Sequence, residues 1–267
     1  MHIRQASMTG ALIWLSSLGT PVAAQTFEQQ LAQCNNMGEQ VASAVRITAC
    51  TALLQSGRLN SQQLSILRVL RGFAYAAQND HVRAIADYSE AIRLNPQNVE
   101  AYNYRSVSYR AQNDNVRAIA DQSASIRLNP EDARPYINRG NTYSRQGDHV
   151  RAIVDYNEAI RLSPRSADAY NNRGNAYGAQ NDHVRAIADY NEAIRLSPRA
   201  ADAYNNRGFA YAAQNDHVRA IADYSEAIRL NPQFALAYIN RALTYERLGD
   251  AARAAADRAV AARIRGR

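Results

Sequence analysis

Five prolines, Pro96, Pro130, Pro164, Pro198 and Pro232, stand 34 residues apart. Tyr75, Tyr109, Tyr143, Tyr177, Tyr211 and Tyr245 keep the same spacing, and so do Ala84, Ala118, Ala152, Ala186, Ala220 and Ala254. One period shared by several residue types means that a single structural unit is reiterated along the chain. Within 167–200, Tyr170, Gly174 and Tyr177 fall on one face of a helix. Asn181-Asp182 marks a turn, with Asp182 the N-cap of a second helix that carries Ala186, Tyr190 and Ala193 on its inner face. Pro198 closes the unit, because the residue before a proline avoids the helical region. Small residues at 174 and 186 are expected to let the two helices approach, with tyrosines filling the gaps beside them. One such hairpin cannot bury its apolar face alone, so the units must stack.

A 34-residue period with Tyr, Ala and Pro columns, preceded by Gly72, Gly140, Gly174 and Gly208, resembles the tetratricopeptide repeat over about 65–267. The resemblance implies an all-α, right-handed superhelical solenoid of antiparallel helix hairpins. Its units are 65–98, 99–132, 133–166, 167–200 and 201–234, with 235–267 as a capping repeat. The second unit departs from the pattern at Ser106, Gln122 and Ser125 and is expected to fit the stack less tightly. Arg258 takes a column that is aromatic elsewhere, which makes the last helix polar where a further unit would pack.

Residues 1–24 read as a secretory signal peptide: a basic lead at His2 and Arg4, an apolar run from Ala11 to Leu18, then Pro21 and Val22-Ala23-Ala24. The run is far shorter than the ~20 residues of a spanning helix, so no membrane span is expected after cleavage. Residues 25–64 lack the repeat columns and are expected to form a hairpin of helices at about 27–38 and 44–56, with Ser43 as an N-cap and a turn near 39–43. Cys34 and Cys50, the only cysteines, then fall at one level of that hairpin. An oxidising periplasmic or secreted setting favours a Cys34–Cys50 disulfide; the alternative is a pair of buried free thiols.

All 31 basic residues are arginine, which removes every lysine-dependent phosphate loop, Schiff base or nucleophile. The net charge of +7 is spread through the units, so no nucleic-acid partner is expected. Arg71, Arg105, Arg139, Arg173, Arg207 and Arg241 form one column, and Asp87, Asp121, Asp155, Asp189, Asp223 and Asp257 another. Side by side on facing helices, they are expected to pair structurally, since a buried unpaired charge is costly. His81, His149, His183 and His217 each follow an N-cap Asp or its equivalent. Units stacked ~10 Å apart hold them too far from one another to share a metal.

Asn138, Asn172, Asn206 and Asn240 precede the arginine column, with Asn103, Asn171 and Asn205 before some of them and Asn141 and Asn175 one turn on. In the repeat family the first helices line the concave groove. The column resembles the asparagine ladder in the repeat domain of O-linked N-acetylglucosamine transferase, which holds an extended peptide by its backbone. A carboxamide both donates and accepts, as pairing with a peptide unit requires. The alternative is helix-surface asparagine that meets only water. The sequence thus points to a non-catalytic scaffold without a cofactor: a monomer that binds a peptide or helix of one or more partner proteins. A self-assembling component of a cell-envelope complex is the other reading.

Overall fold

The computed structural model describes residues 21–35 and 42–266. Residues 1–20 of the expected signal segment, and the expected turn up to residue 41, lie outside these. Fourteen α-helices and no strand occur among the described residues. The chain divides into two compact units, one ending at Pro130 and one beginning at Glu131. The first holds α1 (Pro21–Asn35), α2 (Ser43–Gln55), α3 (Ser61–Ala77), α4 (His81–Leu94), α5 (Val99–Ala111) and α6 (Asn115–Leu128). The second holds α7 (Ala133–Arg145), α8 (His149–Leu162), α9 (Ala167–Ala179), α10 (His183–Leu196), α11 (Ala201–Ala213), α12 (His217–Leu230), α13 (Ala235–Arg247) and α14 (Ala251–Arg265).

The turn inside each hairpin needs only three residues because one of them serves two helices. After α9, Asn181 adopts φ +62°, a left-handed conformation that asparagine and glycine tolerate best. The Asn181 N–H donates to the Gly178 carbonyl and the Asp182 N–H to the Tyr177 carbonyl, which satisfies the last turn of α9. Asp182 then starts α10 by accepting from the Arg185 N–H at 3.0 Å. Gly147 and Gly249 fill the same left-handed position in two other hairpins. On the far side, Ser197 before Pro198 is extended (φ −135°, ψ 83°) and ends α10.

Within each unit, apolar burial links a hairpin to its neighbour. Ala186 and Tyr190 of α10 pack with Ala210 of α11, and Ala152 and Tyr156 of α8 with Ala176 of α9. In the first unit, Cys34, Ala49, Cys50, Leu53, Leu67 and Leu70 form one cluster, and Cys34 and Cys50 are joined by a disulfide.

Two details differ from the sequence reading. Helix α1 starts at Pro21, where the fixed φ of proline suits a first helical residue. Ser43 lies inside α2 rather than capping it; Ala42 holds the cap position without a side-chain bond. Gly174 lies against the Tyr190 ring, which fills the gap beside the small residue. Ser106, Gln122 and Ser125 are fully buried, so the second repeat carries a polar core.

Candidate binding site on the first helices

The arginine and aspartate columns meet in every repeat. Arg173 donates from Nε and Nη2 to the two carboxylate oxygens of Asp189, at 2.8 and 2.6 Å. The same fork joins Arg71 to Asp87, Arg105 to Asp121, Arg139 to Asp155, Arg207 to Asp223 and Arg241 to Asp257. The hydrogen bond to Asp189 raises the Arg173 pKa above its ordinary value, against the opposing effect of burial. Two donors in a rigid plane match a carboxylate in a way lysine cannot.

The remaining guanidinium nitrogen reaches the preceding hairpin. Arg173 Nη1 donates to Asn157 of α8, Arg207 Nη1 to Asn191 of α10 and Arg241 Nη1 to Ser225 of α12. In the first unit Arg71 reaches Thr51 and Arg105 reaches Ser89 in the same way. These guanidiniums are therefore engaged inside the stack, both within and between hairpins.

The asparagines of the second unit lie on its first helices, α7, α9, α11 and α13, and bond to one another across helices. Asn172 donates to Asn141 Oδ1 at 3.0 Å, Asn206 to Asn171 Oδ1 at 3.2 Å and Asn240 to Asn205 Oδ1 at 2.9 Å. Asn205 donates in turn to Asn206. Asn141 and Asn175 also accept from the hydroxyls of Tyr156 and Tyr190, each at 2.8 Å. The carboxamides thus form two bonded groups, Asn141 with Asn172 and Asn171 with Asn206, Asn205 and Asn240, on one polar surface. Asn205 is buried, whereas Asn171, Asn172 and Asn206 are half-buried and Asn175 is exposed. The backbone carbonyl of Asn138 accepts from the Thr142 hydroxyl. Asn103 lies in the first unit, with its Oδ1 enclosed and unpartnered.

Three of the histidines, His81, His183 and His217, begin α4, α10 and α12, one per hairpin, with Nδ1 enclosed. His149 begins α8 and its Nδ1 lies 3.5 Å from the Ser144 hydroxyl. No group of three His, Cys, Asp or Glu among the described residues could hold a metal. No described helix is long and apolar enough to cross a membrane.

The sequence reading missed a cleft between α11 and α13. Phe209, Ala212, Ala213, Tyr224, Asn240, Leu243, Thr244 and Arg247 line it. The available signal was the column of Asn141 and Asn175, which continues as Phe209 and Leu243.

Helical hairpins of constant length, stapled by an arginine that bonds both its own hairpin and the one before, define a helical-repeat protein. Sequence models described as tetratricopeptide repeat match 167–199, 201–234 and 224–256, and one described as TPR repeat matches 72–106 and 145–181. The chain belongs to the tetratricopeptide-repeat family. Among curated proteins none matches the sequence. Among solved structures, the chain is similar to MamA (27% identity, 60% of this chain and 94% of that one, TM-score 0.55). It is also similar to a tetratricopeptide repeat protein from Parabacteroides merdae (18% identity, 90% and 93% covered, TM-score 0.72). A third likeness is to YrrB (19% identity, 72% and 96% covered, TM-score 0.57).

Proposed function

We propose that the protein is a non-catalytic, exported scaffold that holds an extended segment of a partner protein against the first helices of its second unit. The observation that carries this reading is the carboxamide surface from Asn141 to Asn240 across the first helices α7, α9, α11 and α13. Each carboxamide can exchange a neighbour for a peptide N–H or C=O, because it both donates and accepts. YrrB, which shares the fold, is described as having an unusual peptide-binding site. Export fits the Cys34–Cys50 bond, since such bonds persist in oxidising compartments.

The test is capture of partners from a cell-envelope extract by the immobilised full chain and by a variant with Asn138, Asn172, Asn206 and Asn240 all changed to Ala. Loss of the captured proteins at unchanged far-UV helical signal supports the groove. Undiminished capture by the variant overturns it.

A further inference from the structure

The wall of first helices changes character along the second unit. At one column it carries Asn141 and Asn175, each accepting from a buried tyrosine hydroxyl. At the next two hairpins the column is Phe209 and Leu243, which are 58% and 46% exposed. The tyrosine behind them, Tyr224, bonds instead with Thr244, and burial pushes its phenol pKa well up. Two large apolar side chains thus stand open to solvent on adjacent helices, over a floor of Ala212, Ala213 and the Tyr224 ring. The packing of the hairpins does not fix this position, which is Phe73 and Val107 in the first unit and Asn141 and Asn175 in the second.

The cleft is not wholly apolar. Asn240 sits at one side and Arg247 at the other. Arg247 forms none of the ion pairs seen among the described residues; its neighbour Glu246 is bound by Arg258 at 2.7 Å. By contrast, every arginine of the 34-residue column is matched to an aspartate. An unmatched guanidinium beside an apolar notch calls for an anionic group in the occupant.

We infer that the α11–α13 cleft is the anchor subsite of the groove, and that it takes a leucine- or phenylalanine-sized side chain of a partner segment with a carboxylate one or two residues away. The apolar side chain enters between Phe209 and Leu243, and the carboxylate meets Arg247. The carboxamide surface over α7–α11 then holds the adjoining backbone, which sets the direction in which the segment lies. This inference rests on the groove reading above and adds the chemistry of the ligand.

The probe is a random decapeptide display library selected on the immobilised full chain. The expected winners combine Leu, Phe or Met with Asp or Glu within two positions. The strongest is resynthesised with a fluorophore and titrated by anisotropy against Phe209→Asn, Leu243→Asn and Arg247→Gln. Asparagine is the residue the chain itself places in this column, so the first two variants keep the fold, as circular dichroism would verify. Each should weaken binding about tenfold, the worth of one buried apolar side chain. Arg247→Gln should weaken it several-fold and abolish the dependence on salt. Winners without an apolar–acidic pair, or affinities unchanged in the three variants, overturn the anchor while leaving the groove standing. Failure to select any peptide overturns both.

Discussion

A Cβ placed on Gly174 would lie 2.7 Å from Cε1 of Tyr190, so the tyrosine ring occupies the space any larger residue would need. The same contact recurs between Gly72 and Tyr88, Gly140 and Tyr156, and Gly208 and Tyr224. Where the ring is absent the glycine is absent too: Ser106 stands with Gln122, and Ala242 with Arg258. The two columns are one packing decision made across two helices.

Gly174→Ala should therefore destabilise the protein despite the better helix propensity of alanine. Tyr190 is buried and its hydroxyl is held by Asn175, so the ring cannot swing aside freely. The expected cost is about 1–3 kcal/mol, as for an overpacked core. Gly178→Ala, whose Cβ would meet nothing closer than 3.8 Å, should stabilise by up to ~1 kcal/mol. Urea unfolding of both variants checks the opposite signs.

Gln122→Tyr should destabilise on its own, since Ser106 carries the Cβ that the ring displaces elsewhere. Adding Ser106→Gly should recover part of the loss. A double-mutant cycle should show a coupling of about 0.5–3 kcal/mol between the two sites; strict additivity would mean that the ring and the glycine do not meet.

Asp189→Ala leaves Arg173 half-buried without its carboxylate. Breaking such a pair costs about 3 kcal/mol. Arg173→Lys should also destabilise, because one ammonium cannot hold both oxygens of Asp189 and Asn157 at once. Thermal denaturation of the two variants measures the effect.

Acid should weaken the stack through its turn aspartates. Hydrogen bonds from the Arg185 backbone and side chain hold the Asp182 pKa below its ordinary value of 3.8. Asp80, Asp114, Asp148, Asp216 and Asp250 are lowered by the same two contacts. A carboxyl that is more acidic when folded contributes stability above its unfolded pKa and loses it as pH falls through the folded one. The denaturation midpoint should drop as pH falls below about 4, the ordinary carboxylate value. Changing all six to Asn, which caps a helix about as well, should flatten that acid limb.

Reduction of the Cys34–Cys50 bond should act locally. The loop it closes has a sequence separation of 16, worth about 3 kcal/mol in the chain-entropy account. Amide exchange should quicken in α1 and α2 and stay unchanged in α9–α12, because each hairpin contacts only its neighbours.

Much of this architecture can be read from the chain because the period fixes the register. Asp182 as an N-cap, Pro198 as a terminator and the pairing of Arg173 with Asp189 all depend on backbone spacing, which the repeat holds constant. The distance between Gly174 and the Tyr190 ring depends on the ring's rotamer, which helix spacing does not specify. The bonds among Asn171, Asn206, Asn205 and Asn240 depend on side-chain rotamers, which periodicity does not specify. The cleft at Phe209 and Leu243 was concealed for the opposite reason: a search for what repeats passes over the two places where a column changes.

The third nitrogen of Arg173, Arg207 and Arg241 makes the joints between hairpins of the second unit interchangeable. If residues 167–200 were excised, Arg207 would arrive where Arg173 had been, and Asn157 would offer it the same oxygen that Asn191 does now. A cut that is not a multiple of 34 residues would bring an unlike side chain to that nitrogen. Array length in this molecule can thus change in whole steps of one hairpin without a new joint having to be invented.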